Sequence, residues 1–283
     1  MGVWYTNRAA LKAALTIPAT TTSQDVALDA VMETVSREID LYVGFGFSPA
    51  SGVRDYTPRS ADCLDLDYPL LAVDSVVADY DANSSYETTL SSATYHLTPF
   101  NATAESPRRP FWGMEIRANS TGVFPAGIQR GARVTGTWGY YDERHTTTGN
   151  LTSAMTSAGL TMKVAGASQY SAGHLLLIDS ERIQVTDVST TAGAASEGVV
   201  NVLRARNGTS GAVHSSGTSV QMYDFPVVER AALYQAELDY RVKDAPMGMA
   251  GGDPFGAQRP QPGGGLHPFT KRMLDSFRIP GAY

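Results

Sequence analysis

The chain has 283 residues, 42% of them hydrophobic and 18% charged, with a formal net charge of −6 and a pI of about 5.4. That length leaves room for about two domains with a sizeable core, and the acidic balance lacks the basic footprint that grips phosphates, which excludes tight nucleic-acid binding. The single cysteine, Cys63, excludes an internal disulfide and a cysteine-rich metal site and is expected to serve packing. No apolar run is long enough for a bilayer, and the start carries no signal-peptide pattern, so synthesis in the cytoplasm is expected.

In chain order, Thr6 is placed to cap a short helix in which Leu11 and Leu15 share a face, with Pro18 ending it. Ser23 then caps a longer helix reaching Val43. Leu28, Val31, Met32, Val35, Ile39 and Tyr42 form its apolar stripe, and Gly44 with Gly46 stops it. Strands are predicted next over 53–56, 63–69, 70–80, 95–97, 114–117 and 132–138. In the second of these Leu64 and Leu66 alternate with Asp65 and Asp67; in the last Val134, Gly136 and Trp138 alternate with Arg133, Thr135 and Thr137.

Beyond residue 142 the composition shifts to Thr, Ser, Ala and Gly, and strands are predicted over 160–164, 174–178, 182–188, 199–206 and 219–223, with Asn207-Gly208 as a tight-turn signal. This reads as a β-domain inserted at an exposed connection. Pro226 opens a helix to Lys243 with Val227, Ala231, Tyr234 and Leu238 on one stripe. Glu237 with Arg241 and Asp239 with Lys243 stand four apart as ion pairs. Residues 245–267 are rich in Pro and Gly and are expected to form a linker. Beyond them Phe269, Met273 and Phe277 repeat every four residues beside Lys271, Arg272 and Arg278. A short amphipathic segment of this kind needs a partner, which makes these six residues the candidate docking set.

The grouping that most suggests chemistry is His174, Asp179, Glu181 and His214, two imidazoles and two carboxylates that a metal or an acid–base mechanism would use. No local metal-site spacing or nucleophile motif accompanies it, and polar hairpin ends are the competing reading. Asp65 and Asp67 read as solvated surface. The pairs Trp4-Tyr5 and Phe111-Trp112 are open to an interface reading as well as to burial. The expectation is therefore a non-enzymatic protein with no catalytic residue, no cofactor and no metal.

Leu64-Asp65-Leu66-Asp67-Tyr68-Pro69-Leu70-Leu71-Ala72-Val73-Asp74-Ser75-Val76, Tyr95-His96-Leu97, Val134-Thr135-Gly136-Thr137-Trp138-Gly139-Tyr140 and the Pro226-led helix, following two N-terminal helices, resemble the head-to-tail connector (adaptor) family of tailed bacteriophages. The likeness implies an α+β fold: a helical connector core of two N-terminal helices, a small antiparallel sheet and a long C-terminal helix, plus an inserted all-β domain. The corresponding divisions are 1–141 with 225–245 for the core, 142–224 for the insert and 246–283 for the linker and docking segment. It also implies a ring, generally of twelve subunits, joined to a portal protein and to the tail or next neck protein, in the virion neck, with DNA passing through the lumen without tight binding and no membrane contact. The departure is the insert, whose text Leu177-Ile178-Asp179-Ser180-Glu181-Arg182-Ile183, then Arg204-Ala205-Arg206-Asn207-Gly208-Thr209 and His214, resembles small β-modules of other phage structural proteins. The alternatives are a phage structural protein whose β-insert binds a carbohydrate or receptor, and a metal-dependent hydrolase using the insert histidines.

Overall fold

The computed structural model describes residues 2–104, 108–189, 197–243 and 265–278, so most of the expected linker, 246–264, and the last five residues lie outside the described residues. Two helices open the chain, α1 (Arg8–Ala14) and α2 (Asp25–Val43). Six strands follow: β1 (Ala50–Tyr56), β2 (Cys63–Ala78), β3 (Thr88–Leu90), β4 (Tyr95–Thr98), β5 (Phe111–Ile116) and β6 (Ala132–Trp138). Six more are β7 (Arg144–Thr146), β8 (Thr161–Ala165), β9 (Leu175–Ile178), β10 (Glu181–Ser189), β11 (Glu197–Leu203) and β12 (Gln221–Tyr223). The helices α3 (Pro226–Lys243) and α4 (Pro268–Leu274) complete the described elements.

The fold is mostly β, which corrects the expected helical-core α+β architecture. Among the described residues two antiparallel sheets of six strands each carry the two hydrophobic cores. The physical reason lies in what α3 buries. Its innermost positions include Ala231, Ala232 and Ala236 beside Val228 and Gln235, and alanine removes little apolar surface from water. The clusters around Leu70, Val76, Met114, Val134 and Trp138 and around Leu176, Ile178, Ile183 and Val202 are built on strands instead. Contacts divide the chain into two compact units: Met1–Gly44 with His145–Arg204 and Gly211–Tyr283, and Phe45–Arg144 with Ala205–Ser210. The helices thus share a unit with the later sheet, whereas the sequence pattern groups them with the earlier one.

In the second unit the sheet order is β1-β6-β2-β5-β4, with β3 also on β2. The two strands predicted over 63–69 and 70–80 are one long strand, and its register against β5 shifts between Asp65 and Leu70. Pro69 lies within that shift, where a strand tolerates a residue without an N–H. Strand β6 has the predicted bounds and runs between β1 and β2. Val134 and Trp138 are buried, and the Trp138 indole donates to the Gly52 carbonyl at 3.0 Å. On the other face Arg133 Nε pairs with Asp55 at 2.6 Å, joined by Arg130. The Asp55 carboxyl is held down at about 2, chiefly by the Arg133 hydrogen bond. The segment 205–210 hydrogen-bonds to the start of β1: Ser51 N–H donates to the Asn207 carbonyl at 2.9 Å, and Asn207 Nδ2 donates to the Pro49 carbonyl at 2.9 Å. Asn207 and Gly208 have φ of 50° and 76°, the left-handed turn their identities predicted.

In the first unit the sheet order is β7-β12-β9-β10-β11-β8, around Met162, Val164, Leu176, Ile178, Ile183, Val185, Val200 and Val202. Helix α2 keeps the predicted stripe, with Leu28, Met32, Val35 and Ile39 buried, and Gly44 closes it at φ 96°. Two caps differ from expectation. Asn7, not Thr6, caps α1, its side-chain oxygen accepting from Ala10 N–H at 2.9 Å, and Gln24 precedes α2 without a side-chain cap. On α3 the stripe is turned by about one residue: Val228 is buried while Val227 is 40% exposed. The Arg241–Glu237 pair forms at 2.7 Å, whereas Asp239 accepts from Gln235. Among the described residues no helix is long and apolar enough to cross a membrane.

Candidate functional site

The four insert residues singled out by their chemistry are divided by the fold. Glu181 opens β10, straight after the turn in which Asp179 takes φ 53°. Arg204, just past β11, reaches the Glu181 carboxylate with Nε at 2.7 Å and with a terminal nitrogen at 2.5 Å. The Ala212 N–H donates to the same carboxylate at 2.9 Å. His214 completes the group, with Nε2 at 2.9 Å from Glu181 Oε2 and Nδ1 at 2.7 Å from Asp179 Oδ2. Both ring nitrogens face carboxylate oxygens, so the ring bridges the two acids. Glu181 and His214 are both 0% exposed.

Arg204 is itself shared out, donating also to the carbonyls of Thr156, Gly159 and Ala212 at 2.7, 3.1 and 2.6 Å. The residues that looked like a metal or acid–base group form an internal charge network that pins the connections around β9, β10 and β11. His174 is not part of it. Its Nδ1 accepts from Ser171 N–H at 3.2 Å, and burial, aided by His145, pushes its pKa down to about 4.

The six docking candidates lie on and just after α4, in the first unit. Helix α4 packs on α3 and is fixed by Gln235, whose carbonyl oxygen accepts from His267 N–H at 2.8 Å and from the Thr270 hydroxyl at 3.1 Å. Leu266, Thr270 and Leu274 are the buried positions. The Phe269, Met273 and Phe277 stripe is therefore displaced from the seat by one residue. Phe269 lies with its ring 4.9 Å from that of Tyr234 and is 36% exposed. Met273 and Phe277 are half-buried, and Arg272 is exposed. Lys271 and Arg278 lie over the Tyr42 ring at 5.8 and 5.0 Å, and the Tyr42 hydroxyl donates to Asp275.

Of the remaining candidates, Trp4 and Tyr5 are buried, their side chains donating to Glu33 and Asp40. Phe111 is buried and Trp112 half-buried, while Asp65 and Asp67 are exposed as expected. A group the sequence reading passed over is Asp79, Asp81 and Glu87, whose ligand oxygens lie within 4.8 Å of one another. Its signal was the alternate-position spacing of acids. Asp79 is already engaged by the loop, accepting from Ser84 N–H at 2.8 Å and Asp81 N–H at 3.2 Å. In the second unit a cleft of about 690 Å³ opens beside β4, lined by Tyr95, His96, Phe100, Phe111 and Arg117 among others.

Comparison of the chain with protein-family models, with curated proteins and with solved structures finds no match in any of the three.

Proposed function

We propose that the chain is a structural head-to-tail adaptor of a tailed phage, a subunit of a ring, of twelve copies as the sequence likeness implies, between portal and tail. The observation that carries this reading is the way α4 is seated. Its buried positions Leu266, Thr270 and Leu274 occupy one side, which leaves Phe269 partly exposed beside exposed Arg272 on a helix already fixed in place. An aromatic anchor with an adjacent arginine on a rigid element is the composition of a protein interface core. Holding the helix in advance also lowers the ordering cost of association. Leu41, on α2, is 83% exposed and adds a further apolar side chain for a partner to cover. The acidic balance supports passage of DNA without phosphate capture.

The reading is tested by measuring the mass of the purified chain with and without portal protein and imaging the product by negative stain. Rings, alone or on portal, are expected. A chain that stays monomeric and never binds portal would overturn it, and glycan binding by the same protein would move the reading to the β-sheet of the first unit.

A further inference from the structure

Within the first unit the N-terminal segment, the start of β9, the end of β12 and the first turn of α3 line a partly open cavity of about 110 Å³. At roughly 30 Å³ per water molecule this holds no more than a few heavy atoms. Thr6 lines it, is only 3% exposed, and its hydroxyl oxygen has no hydrogen-bond partner. A buried hydroxyl without a partner is destabilising unless something fills the space beside it. Besides Trp4 and Tyr5, which donate to Glu33 and Asp40, and Tyr223, the other polar side chains on the wall are Asn7, His174, Asp224 and Glu229.

Their chemistry selects the guest. Glu229 has a single long contact from Asn7 Nδ2, at 3.5 Å, and burial, then Asp224, raises its pKa. Asp224 is paired with His145 at 2.8 Å, and His174 accepts a backbone N–H through Nδ1. The wall therefore offers two carboxylates, one of them paired with His145 from outside the lining, and an unengaged hydroxyl oxygen. Positive charge is what this lining lacks. We infer that the cavity is a binding site for a small monovalent cation of ammonium size, including the head of a primary amine, held between the Glu229 carboxylate and the Thr6 hydroxyl. Such a guest offsets the desolvated carboxylate and gives Thr6 the donor it is missing. This site is independent of the adaptor reading, because neither α4 nor any residue of the docking set lines it.

The test uses the full chain. Methylammonium chloride is titrated against sodium chloride at matched ionic strength, and the Thr6 methyl and His174 ring resonances are followed by NMR. Saturable shifts at both residues are expected in the wild type, with an apparent affinity at least tenfold weaker in Glu229→Gln and clearly weakened in Thr6→Val, which keeps the side-chain shape should the glutamine variant fail to fold. Shifts that do not saturate, a wild-type affinity at the His174 ring in both the Glu229→Gln and Thr6→Val proteins, or a crystal structure grown in methylammonium with water alone in the cavity would each overturn the assignment.

Discussion

His214 and Glu181 meet with Nε2 2.9 Å from Oε2, both entirely out of solvent, and each is held from its far side, His214 by Asp179 and Glu181 by Arg204. Neither side chain has water to fall back on. The energetics of this pair are therefore those of a network in which no member is dispensable.

Removing one partner should accordingly be costly. His214→Ala leaves Glu181 with one partner fewer and an empty buried space, and a loss of about 3–5 kcal/mol is expected, the range for removing one side of a buried polar network around a charge. Glu181→Gln should fall in the same range, since it strands Arg204 and His214 together. Urea unfolding with an unchanged m-value checks this. A shift below about 1 kcal/mol for either variant would mean the network contributes no net stability.

Two buried titratable groups of the first unit act against each other. Asp40 is pushed up to about 6 by burial, which outweighs the lowering influence of Arg37 and the Tyr5 hydroxyl. The folded chain then holds that proton more tightly than the unfolded one, so its contribution is present at low pH and lost as pH rises through about 6. His174 is pushed down to about 4 from an ordinary 6.5, so its contribution is present above about 6.5 and lost as pH falls towards 4. Each is of the order of 3 kcal/mol, and in the wild type they largely cancel. Asp40→Asn should unmask the histidine: its unfolding free energy should climb between pH 4 and 6.5 while the wild-type profile stays comparatively level. A falling profile in the variant would contradict the assignment.

Gly136 and Gly52 face each other across β6 and β1, yet the two tolerate different changes. A Cβ on Gly136 would lie 2.3 Å from the Ala72 carbonyl oxygen, a backbone atom that cannot swing away, whereas one on Gly52 meets only the Trp138 ring at 3.9 Å. Gly136→Ala should cost about 1–3 kcal/mol through forced backbone movement. Gly52→Ala should stay within about 0.5 kcal/mol. Paired thermal or chemical melts distinguish them, and equal effects would refute the steric account.

The α4 helix should separate stability from assembly. Leu274 is 0% exposed, so Leu274→Ala is expected to cost about 2–5 kcal/mol if the helix is part of the cooperative fold. Phe269, 36% exposed against Tyr234, should cost the isolated chain less than about 1.5 kcal/mol as Phe269→Ala. The same variant should weaken ring formation or portal binding at least tenfold. Normal assembly of the Phe269→Ala protein would remove α4 from the interface.

What the sequence determined by itself was whatever repeats locally. The alternation of Val134, Gly136 and Trp138 placed β6 on its observed bounds, the apolar spacing of α2 marked the residues it buries, and Gly44 marked its end. Asn207-Gly208 announced its own turn. Tertiary structure decided everything that depends on which segments meet. Pro69 reads as a strand break in isolation, but pairing with β6 and β5 carries one strand through it. A single-residue rotation on α3 exchanged Val227 for Val228, a choice made by the neighbouring helices, since a stripe of small residues has no strong orientation of its own. The same holds for the polar residues. His174 and His214 are equivalent in composition, and only the fold sets one ring between the Asp179 and Glu181 carboxylates, while burial without a comparable partner pushes the pKa of the other down.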